Sequence, residues 1–289
     1  MIHLAAGAYT LDTNGPIDFN ASVQASEVSL SGAPGTSLLQ QTAGSSLFRV
    51  SAGAPRIHLR GLVLHSQVIV DAAELQIENC TFAGSSSVDF GGALQVSSRG
   101  VLNVESTTFV ACNATRGGAV HISDGATAVF SDCTFEACSA SEAQSGGAVF
   151  VEANGRVILR EKTRLVDNYA AGELDSIQIA ANGALEYVLP APLAHYVDAA
   201  RDGSWTANYM GKRSLALQTD AQYGDFPTAC APGLYGDTIA VKEQTSALCT
   251  GRCPAGYVCG APATVTPALC KLGGYCPAGS SAARLCIAG

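Results

Sequence analysis

Cysteine is the residue type in this chain with the most evident chemistry. The 289 residues include 11 cysteines. The segment from residue 230 to residue 289 holds Cys230, Cys249, Cys253, Cys259, Cys270, Cys276 and Cys286. A segment this small and this rich in glycine and proline cannot bury a sizeable core, so crosslinks must hold it together. We therefore predict disulfides among these cysteines, and expect Cys286, as the odd one, to pair outside the segment.

Zinc binding is the alternative use of clustered cysteines. Structural zinc sites are built from Cys-x-x-Cys pairs and histidines. The segment from residue 230 onward contains no histidine and no Cys-x-x-Cys pair. The pattern therefore favours disulfides, and we predict neither a metal site nor a cofactor.

Acid–base catalysis would require clustered carboxylates on one face of the fold, often with an arginine or histidine. The aspartates considered for this role are Asp89, Asp124, Asp132, Asp167 and Asp175. They fall at unrelated positions of the repeats described below, which is typical of solvated turn residues. His58, His65 and His121 stand alone on alternating segments, and we expect them to face outward. No nucleophile elbow or phosphate-binding loop occurs, so we predict no catalytic residues and no enzyme activity.

Residues 75–151 contain a sequence repeat. Phe82, Phe109 and Phe135 recur at nearly equal intervals. Each is followed by Gly-Gly-Ala and a short alternating strand, and each is preceded by another such strand. The predicted corner glycines are Gly91, Gly92, Gly117, Gly118, Gly146 and Gly147. Intervals of this length with several short strands and no helical periodicity predict the coils of a parallel β-solenoid.

Stacked coils lie one strand spacing apart, about 4.8 Å, so equivalent residues form columns. We expect Phe82, Phe109, Phe135 and Leu165 to form one internal column. Cys112 and Cys138 share a repeat position in adjacent coils, within disulfide reach. They are either a disulfide or two buried thiols that pack as small hydrophobes. Cys80 and Cys133 are two coils apart, with Thr107 between them, so a bond there is excluded.

Both ends of the array are less regular. Residues 1–56 read as opening coils, and the segment that begins at Ile57 aligns with the one that begins at Leu75. The coil from Val157 to Ile179 is degenerate, and Arg160 at an apolar position predicts a register slip of one residue. Beyond this coil the repeat period is lost.

We divide the chain into a β-helix over 1–189, a capping or linker segment over 190–229 and a cysteine-rich module over 230–289. In the second segment, Trp205, Tyr209 and Tyr223 are expected to cover the open end of the last coil.

Charge and hydropathy limit the partners and the location. The formal net charge is −8 and no cluster of basic residues occurs, which argues against nucleic-acid binding. No apolar stretch reaches the roughly 18 residues of a membrane span, and the first residues lack the pattern of a signal peptide. The cysteines favour an oxidising compartment, so we expect a piece of a longer secreted or surface protein. Asn20 and Asn113 are candidate glycosylation sites, whereas Asn79 is expected to be held too tightly in its coil.

Two resemblances follow from these motifs. Phe-x-x-[Asn/Cys] followed by Gly-Gly-Ala over residues 75–179 resembles the repeats of the polymorphic outer membrane protein family, within the pectate-lyase-like right-handed β-helices. The chain departs from that family by having cysteine at two of the usual asparagine positions. The spacing of cysteines from 230 to 286 resembles ephrin-receptor-like and tumour-necrosis-factor-receptor-like cysteine-rich repeats. These resemblances imply a surface-displayed adhesion or passenger domain joined to a disulfide module.

The sequence therefore predicts an all-β chain, a right-handed parallel β-helix with a small C-terminal disulfide-rich domain. The expected function is that of a non-catalytic extracellular or cell-surface protein that serves adhesion, recognition or structural display, with an unknown protein or carbohydrate ligand. One alternative is a carbohydrate-active enzyme, a polysaccharide lyase or hydrolase on the same scaffold. Another is the ectodomain stalk of a membrane receptor.

Overall fold

A computed structural model describes residues 1–11, 15–40, 45–160, 163–180, 182–189, 194–197, 205–209, 213–217, 221–223, 233–235, 248–249, 251–261, 264 and 266–286. These residues form strands, turns and bends, with no helix among them. No part of the chain that the structure describes forms a helix able to cross a membrane. The chain divides into two compact units, Met1–Val188 with Ser214–Asp225, and Leu189–Arg213 with Phe226–Gly289.

The first unit is a parallel β-solenoid built from three long sheets, which we call A, B and C in chain order. Sheet A contains Ile2–Leu4, Glu27–Gly32, Arg56–Arg60, Glu74–Glu78, Val101–Glu105, Thr127–Ser131, Arg156–Arg160, Ala184–Leu189 and Arg213–Leu217. Sheet B contains Gly7–Leu11, Thr36–Gln40, Val63–Leu64, Thr81–Ala83, Thr108–Val110, Thr134–Glu136 and Arg164–Val166. Sheet C contains Ile17–Phe19, Ser46–Val50, Gln67–Asp71, Leu94–Ser97, Val120–Ile122, Val149–Val151, Ile177–Ile179 and Ala221–Tyr223.

A short fourth sheet, D, joins the corners between sheets B and C. It contains Asn113–Ala114, Ser139–Ala140, Tyr169–Ala170 and Glu173–Leu174. Each coil thus contributes one strand to each long sheet, and each strand pairs with the equivalent strand of the next coil. The backbone groups of one coil therefore bond to the coils on either side.

Alternation along each strand decides which side chains enter the core. In Glu74–Glu78 the second and fourth residues, Leu75 and Ile77, are fully buried, and the strand ends are exposed or half-buried. The same pattern of burial recurs in Val101–Glu105 and Thr127–Ser131. Because the side-chain period of a strand is two, in-register stacking places every apolar pair over its predecessor. The core is therefore a continuous interior column along the solenoid.

The degenerate last coil keeps the register of its neighbours, so the predicted slip at Arg160 is wrong. Leu159 pairs with Phe130 and is buried, whereas Arg160 pairs with Ser131 and is exposed. Arg160 is the last residue of its strand and occupies an outward column, where its charge meets water. Apolar periodicity alone misplaced it because the strand carries a third apolar residue, Ile158, on its outer face.

The segment predicted as one capping or linker region is divided between the two units. Ala221–Tyr223 belongs to the first unit and pairs antiparallel with Ile177–Ile179, so it covers an edge of sheet C at the level of the last coil. An edge strand covered in this way cannot template pairing with another chain. Trp205 and Tyr209 are the first and last residues of one strand of the second unit.

The second unit contains small antiparallel sheets. Ala194–Val197 pairs with Trp205–Tyr209 and with Leu248–Cys249. Three two-stranded pairs follow: Leu234–Tyr235 with Gly251–Arg252, Tyr257–Val258 with Ala268–Leu269, and Gly274–Tyr275 with Arg284–Leu285. Strands this short are marginal alone, so covalent links are needed to hold them.

Candidate functional site

The predicted aromatic column lies at the centre of the solenoid. Phe82 pairs with Phe109, Phe109 with Phe135 and Phe135 with Leu165, and all four side chains are fully buried. The ring centroids are 5.1 Å apart for Phe82 and Phe109 and 4.4 Å apart for Phe109 and Phe135, with nearly parallel planes. Phe130 meets this stack edge-on. The column is a packing element that fixes the coil spacing and presents nothing to a ligand.

The six predicted corner glycines occupy two positions with different requirements. Gly91, Gly117 and Gly146 have φ angles of 55°, 59° and 61°, a region in which side chains are strained. At the second position, a Cβ on Gly118 would overlap the carbonyl oxygens of Gly147 and Ser139. The first glycine of each pair turns the chain, and the second admits the backbone of the adjacent coil.

The four cysteines of the solenoid are free and buried. Cys112 and Cys138 therefore do not form the disulfide offered as one alternative. Their thiols instead point at backbone carbonyls of the preceding coil, Cys112 at Phe82 O (3.6 Å) and Cys138 at Phe109 O (3.7 Å). Contact with the Cys138 thiol, together with burial, holds the pKa of Cys112 well above its usual value. A high thiol pKa disfavours the reactive thiolate.

Asn168 occupies the same position one coil later. Its Nδ2 donates to Phe135 O (3.2 Å) and its Oδ1 accepts from the backbone N–H of Cys138 (2.9 Å). Ser85, at the opposite end of this column, donates to Leu64 O (3.1 Å). The two thiols are thus part of a column of buried donors that pair with carbonyl oxygens of sheet B.

Cys80 and Cys133 lie in a second internal column, separated by the coil that carries Thr107. The backbone N–H of Cys80 donates to Thr107 Oγ1 (3.3 Å) and that of Cys133 to Thr163 Oγ1 (3.3 Å). Burial raises the pKa of the Cys80 thiol to about 11 and that of Cys133 to about 12. A raised pKa disfavours the thiolate form of both cysteines.

The C-terminal cysteines form two disulfides in the part of the chain that the structure describes. Cys253 is bonded to Cys259 and Cys270 to Cys276, with Cα–Cα distances of 5.8 and 6.0 Å. Cys286 is free and exposed. Cys230 lies outside the described residues, and Cys249 is described only as the end of a strand. No cluster of His, Cys, Asp and Glu among the described residues could hold a metal ion.

The two candidate glycosylation sites differ in their surroundings. Asn113 is exposed in the first strand of sheet D. Asn20 is half-buried, and its Oδ1 accepts from the backbone N–H (2.9 Å) and the hydroxyl (2.6 Å) of Ser22. The Asn20 side chain thus closes its own turn. Asn79 lies at a corner with φ 50° and is exposed.

A shallow groove of about 230 Å³ runs over the outer face of sheet A. Its polar lining consists of Gln76, Glu78, Asn103, Glu105, Ser131 and Arg160. In-register pairing stacks Gln76 against Asn103 and Glu78 against Glu105. Like groups therefore repeat at one strand spacing, about 4.8 Å. The groove offers the amide donors and acceptors of Gln76 and Asn103 beside two carboxylates.

Arginines bracket the two carboxylates of this groove. Arg60, one strand before Glu78, forms an ion pair with it, and Arg160 stands two strands beyond Glu105. Adjacent carboxylates repel, and flanking guanidinium groups reduce that repulsion. The sequence motifs do not include the polar residues that line this groove. A signal was nevertheless present, because Glu78 and Glu105 are separated in the sequence by the same interval as Phe82 and Phe109.

His121 was expected to face outward into solvent. It does lie on the outer face of sheet C, but its side chain is buried. Its side chain is 3% exposed. The imidazole lies between the rings of Phe90 (4.5 Å between centroids) and Phe150 (5.6 Å). Phe90 is supplied by the segment that joins sheets B and C in the preceding coil, so no pattern in the strand of His121 itself predicts this cover. His58 and His65 remain half-buried.

Asp175 replaces the second glycine of the corner in the last coil. It is fully buried, and its Oδ2 accepts from the backbone N–H of Gly146 (3.1 Å), while its Oδ1 has no hydrogen-bond partner. Burial raises the pKa of this carboxyl to about 6, against the opposing effect of the Gly146 hydrogen bond.

No protein-family model, curated protein or solved structure matches the chain.

Proposed function

We propose that the protein is a non-catalytic recognition scaffold of the extracellular space or cell surface. In this proposal the solenoid presents its outer face to a carbohydrate or protein ligand. The observation that carries the proposal is the groove on sheet A, where two amides and two carboxylates stack in register on adjacent strands. A rigid parallel array of this kind suits an elongated ligand with repeating polar groups.

The chemistry of the groove favours a ligand rich in hydroxyl groups. Carboxylates accept two hydrogen bonds readily, and the amides of Gln76 and Asn103 donate as well as accept. Both amide side chains are half-buried and both carboxylates reach water, so binding would replace water without burying an unpaired charge. Sugar hydroxyls match this set of donors and acceptors.

The two disulfides support a location in the extracellular space or at the cell surface. Each cysteine of the Cys253–Cys259 and Cys270–Cys276 disulfides directly follows a two-residue strand, and strands this short have little core of their own. Such bonds persist in oxidising surroundings and are rare in the cytosol. The resemblance of the repeats to the polymorphic outer membrane protein family, and of the cysteine spacing to receptor-like cysteine-rich repeats, supports the same location and a role in adhesion.

Binding of the full chain to a panel of immobilised polysaccharides and cell-surface proteins tests the proposal. For a ligand that the groove holds, Asn103→Ala should weaken binding about 2- to 10-fold and Glu105→Ala about 10- to 150-fold, the ranges of one lost hydrogen bond to a neutral and to a charged group. Thr108→Ala, on the outer face of sheet B, is the matched control and should leave binding unchanged. Binding that none of the groove variants alters would refute the assignment of the groove.

A carbohydrate-active enzyme is the second candidate, because Glu78 and Glu105 form a carboxylate pair on one sheet face. Enzymes that cleave glycosidic bonds use two carboxyl groups across the bond. The same polysaccharides incubated with the protein would then release new reducing ends, and Glu105→Gln would abolish their release while it preserved the shape of the site. A scaffold without catalytic activity releases none.

A further inference from the structure

His121 is held in a closed compartment on the outer face of sheet C. We call Phe90 and Arg116 the roof of this compartment. The backbone of Phe90 pairs with that of Arg116 in an isolated parallel bridge, and the N–H of Gly91 donates to Arg116 O (3.0 Å). The guanidinium of Arg116 stands 5.8 Å from the centre of the Phe150 ring. The roof therefore joins two successive coils above the imidazole.

Neither ring nitrogen of His121 has a hydrogen-bond partner. A buried neutral imidazole carries one N–H, and leaving that N–H unpaired costs free energy. An apolar ring would avoid this cost, and Phe150 does occupy the equivalent position in the next coil. A histidine at this position is thus a costly choice for packing alone, and the feature that distinguishes it from phenylalanine is its ability to take up a proton.

Charged groups face the imidazole from each side. Glu152, after the next strand of sheet C, places Oε1 3.5 Å from Nε2. Arg116 holds Glu142 through Nε at 2.6 Å and faces Glu152 through Nη1 at 4.0 Å. Asp124, in the turn after the histidine's own strand, also acts on the imidazole through its charge. Burial, and next the charge of Arg116, lower the pKa of His121 to about 4, whereas Asp124 acts in the opposite direction.

We propose that His121 is an acid-sensitive latch: protonation draws Glu152 from Arg116 to the imidazolium and releases the roof formed by Phe90 and Arg116. The closed form excludes water from the ring and repels a proton through Arg116. An imidazolium needs a hydrogen-bond partner for each of its two N–H groups. Glu152 can accept from one of them. The other N–H finds a partner only if the roof shifts and admits water. The latch opens the corner segments that carry Phe90 and Arg116, outside sheet C, and leaves the interior columns in place.

The pH range in which the latch opens follows from the lowered pKa of His121. The native state binds the proton less well than an open state with an ordinary histidine pKa of 6.5. The closed form is therefore fully favoured above pH 6.5 and loses its advantage as the pH falls from 6.5 to about 4. The open fraction should rise about tenfold per pH unit in that interval.

Amide hydrogen exchange of the full chain between pH 7 and pH 4 tests the latch. Protection factors, corrected for intrinsic rates, should fall at Gly91 and remain high at Leu102 in sheet A. His121→Phe, which copies Phe150 of the next coil, should abolish the fall. His121→Gln, which copies Gln95 and Gln178 of the same column, serves if the first variant does not fold. His58→Gln is the matched control and should behave as wild type.

Three results would overturn the latch. One is a protection factor at Gly91 that does not change with pH. Another is the same fall in the His121 variants as in the wild type. A loss of protection at Leu102 together with Gly91 would show global unfolding instead of local release. None of these outcomes depends on binding at the groove of sheet A.

Discussion

At the scale of single residues, the buried polar groups of the solenoid differ in how fully they are paired. Asn168 satisfies both ends of its amide within the column that also holds Cys138. Asp175 leaves one carboxylate oxygen buried without a partner. An ionised carboxylate in that position is costly because burial removes its hydration. Asp175 should therefore weaken the last coil at neutral pH.

Asp175→Asn should stabilise the protein at pH 8 and not at pH 4. The carboxyl has its pKa raised from 3.8 to about 6, so its contribution to stability is complete below pH 3.8 and is lost as the pH rises through 6. The variant should gain on the order of 1–3 kcal/mol at pH 8, measured by urea unfolding of the first unit. Asp89→Asn removes the same charge from an exposed position and should have little effect. A gain for Asp175→Asn that does not vary with pH would contradict this account.

Single-residue environments were the least predictable from the sequence. The spacing that aligns Cys112 with Cys138 is visible in the repeats, but spacing alone cannot say whether two adjacent thiols bond to each other or to carbonyls. The burial of His121 depends on Phe90, which arrives from the preceding coil through a corner segment. A pattern within one strand contains no information on what a neighbouring corner places over it.

At the scale of elements, the corners determine where each coil can lie. Corners without glycine also use positive φ, as at Ala111 (51°) and Ala137 (54°), which share a position with Gly84 (61°). A Cβ at Gly84 would meet no atom within 4 Å. Gly118 differs because the backbone of the next coil occupies the space of its Cβ. The glycines of the chain are therefore not equivalent.

Gly118→Ala should destabilise the solenoid by more than about 2 kcal/mol, since the adjacent coil must move to admit the methyl group. Gly84→Ala is the matched control: the equivalent corners already hold alanine, so the change should stay within about 1 kcal/mol. Thermal and urea unfolding of the two variants measure the difference. Equal destabilisation by both substitutions would mean that the backbone does not pack closely at the Gly-Gly corners.

The regular elements were the most predictable part of the fold. Ile57 and Leu75, which align when the repeats of the sequence are superposed, are also partners in the paired strands. Parallel stacking gives equivalent positions of successive coils the same inward or outward environment, so the recurring apolar pattern of the sequence carries the register directly. The prediction failed at Arg160, where an outer-face Ile158 mimics the inward pattern.

At the scale of the whole molecule, two units with different sources of stability are joined in one chain. The first has an extensive apolar interior and, in its described residues, no disulfide. The second has two disulfides with very short strands around them. The composition predicted this contrast, because cysteine, glycine and proline concentrate where apolar alternation ends.

The sheet A groove and the compartment of His121 both follow from in-register stacking of the coils. Glu78 lies beside Glu105, and Phe150 beside His121, because each coil repeats the path of the one before it. The stacking of the aromatic rings reports that register at the centre of the molecule. It is therefore the feature on which the sites on both faces depend.

Nuclear Overhauser contacts between the aromatic rings measure the stacking most directly. In protein with labelled phenylalanine, Phe109 should show cross-peaks to both Phe82 and Phe135, because its ring lies 5.1 Å from one and 4.4 Å from the other. Phe82 and Phe135, on opposite sides of Phe109, should show none to each other. A direct contact between Phe82 and Phe135, or the absence of contacts from Phe109 to both, would contradict the stacking and the two sites built on it.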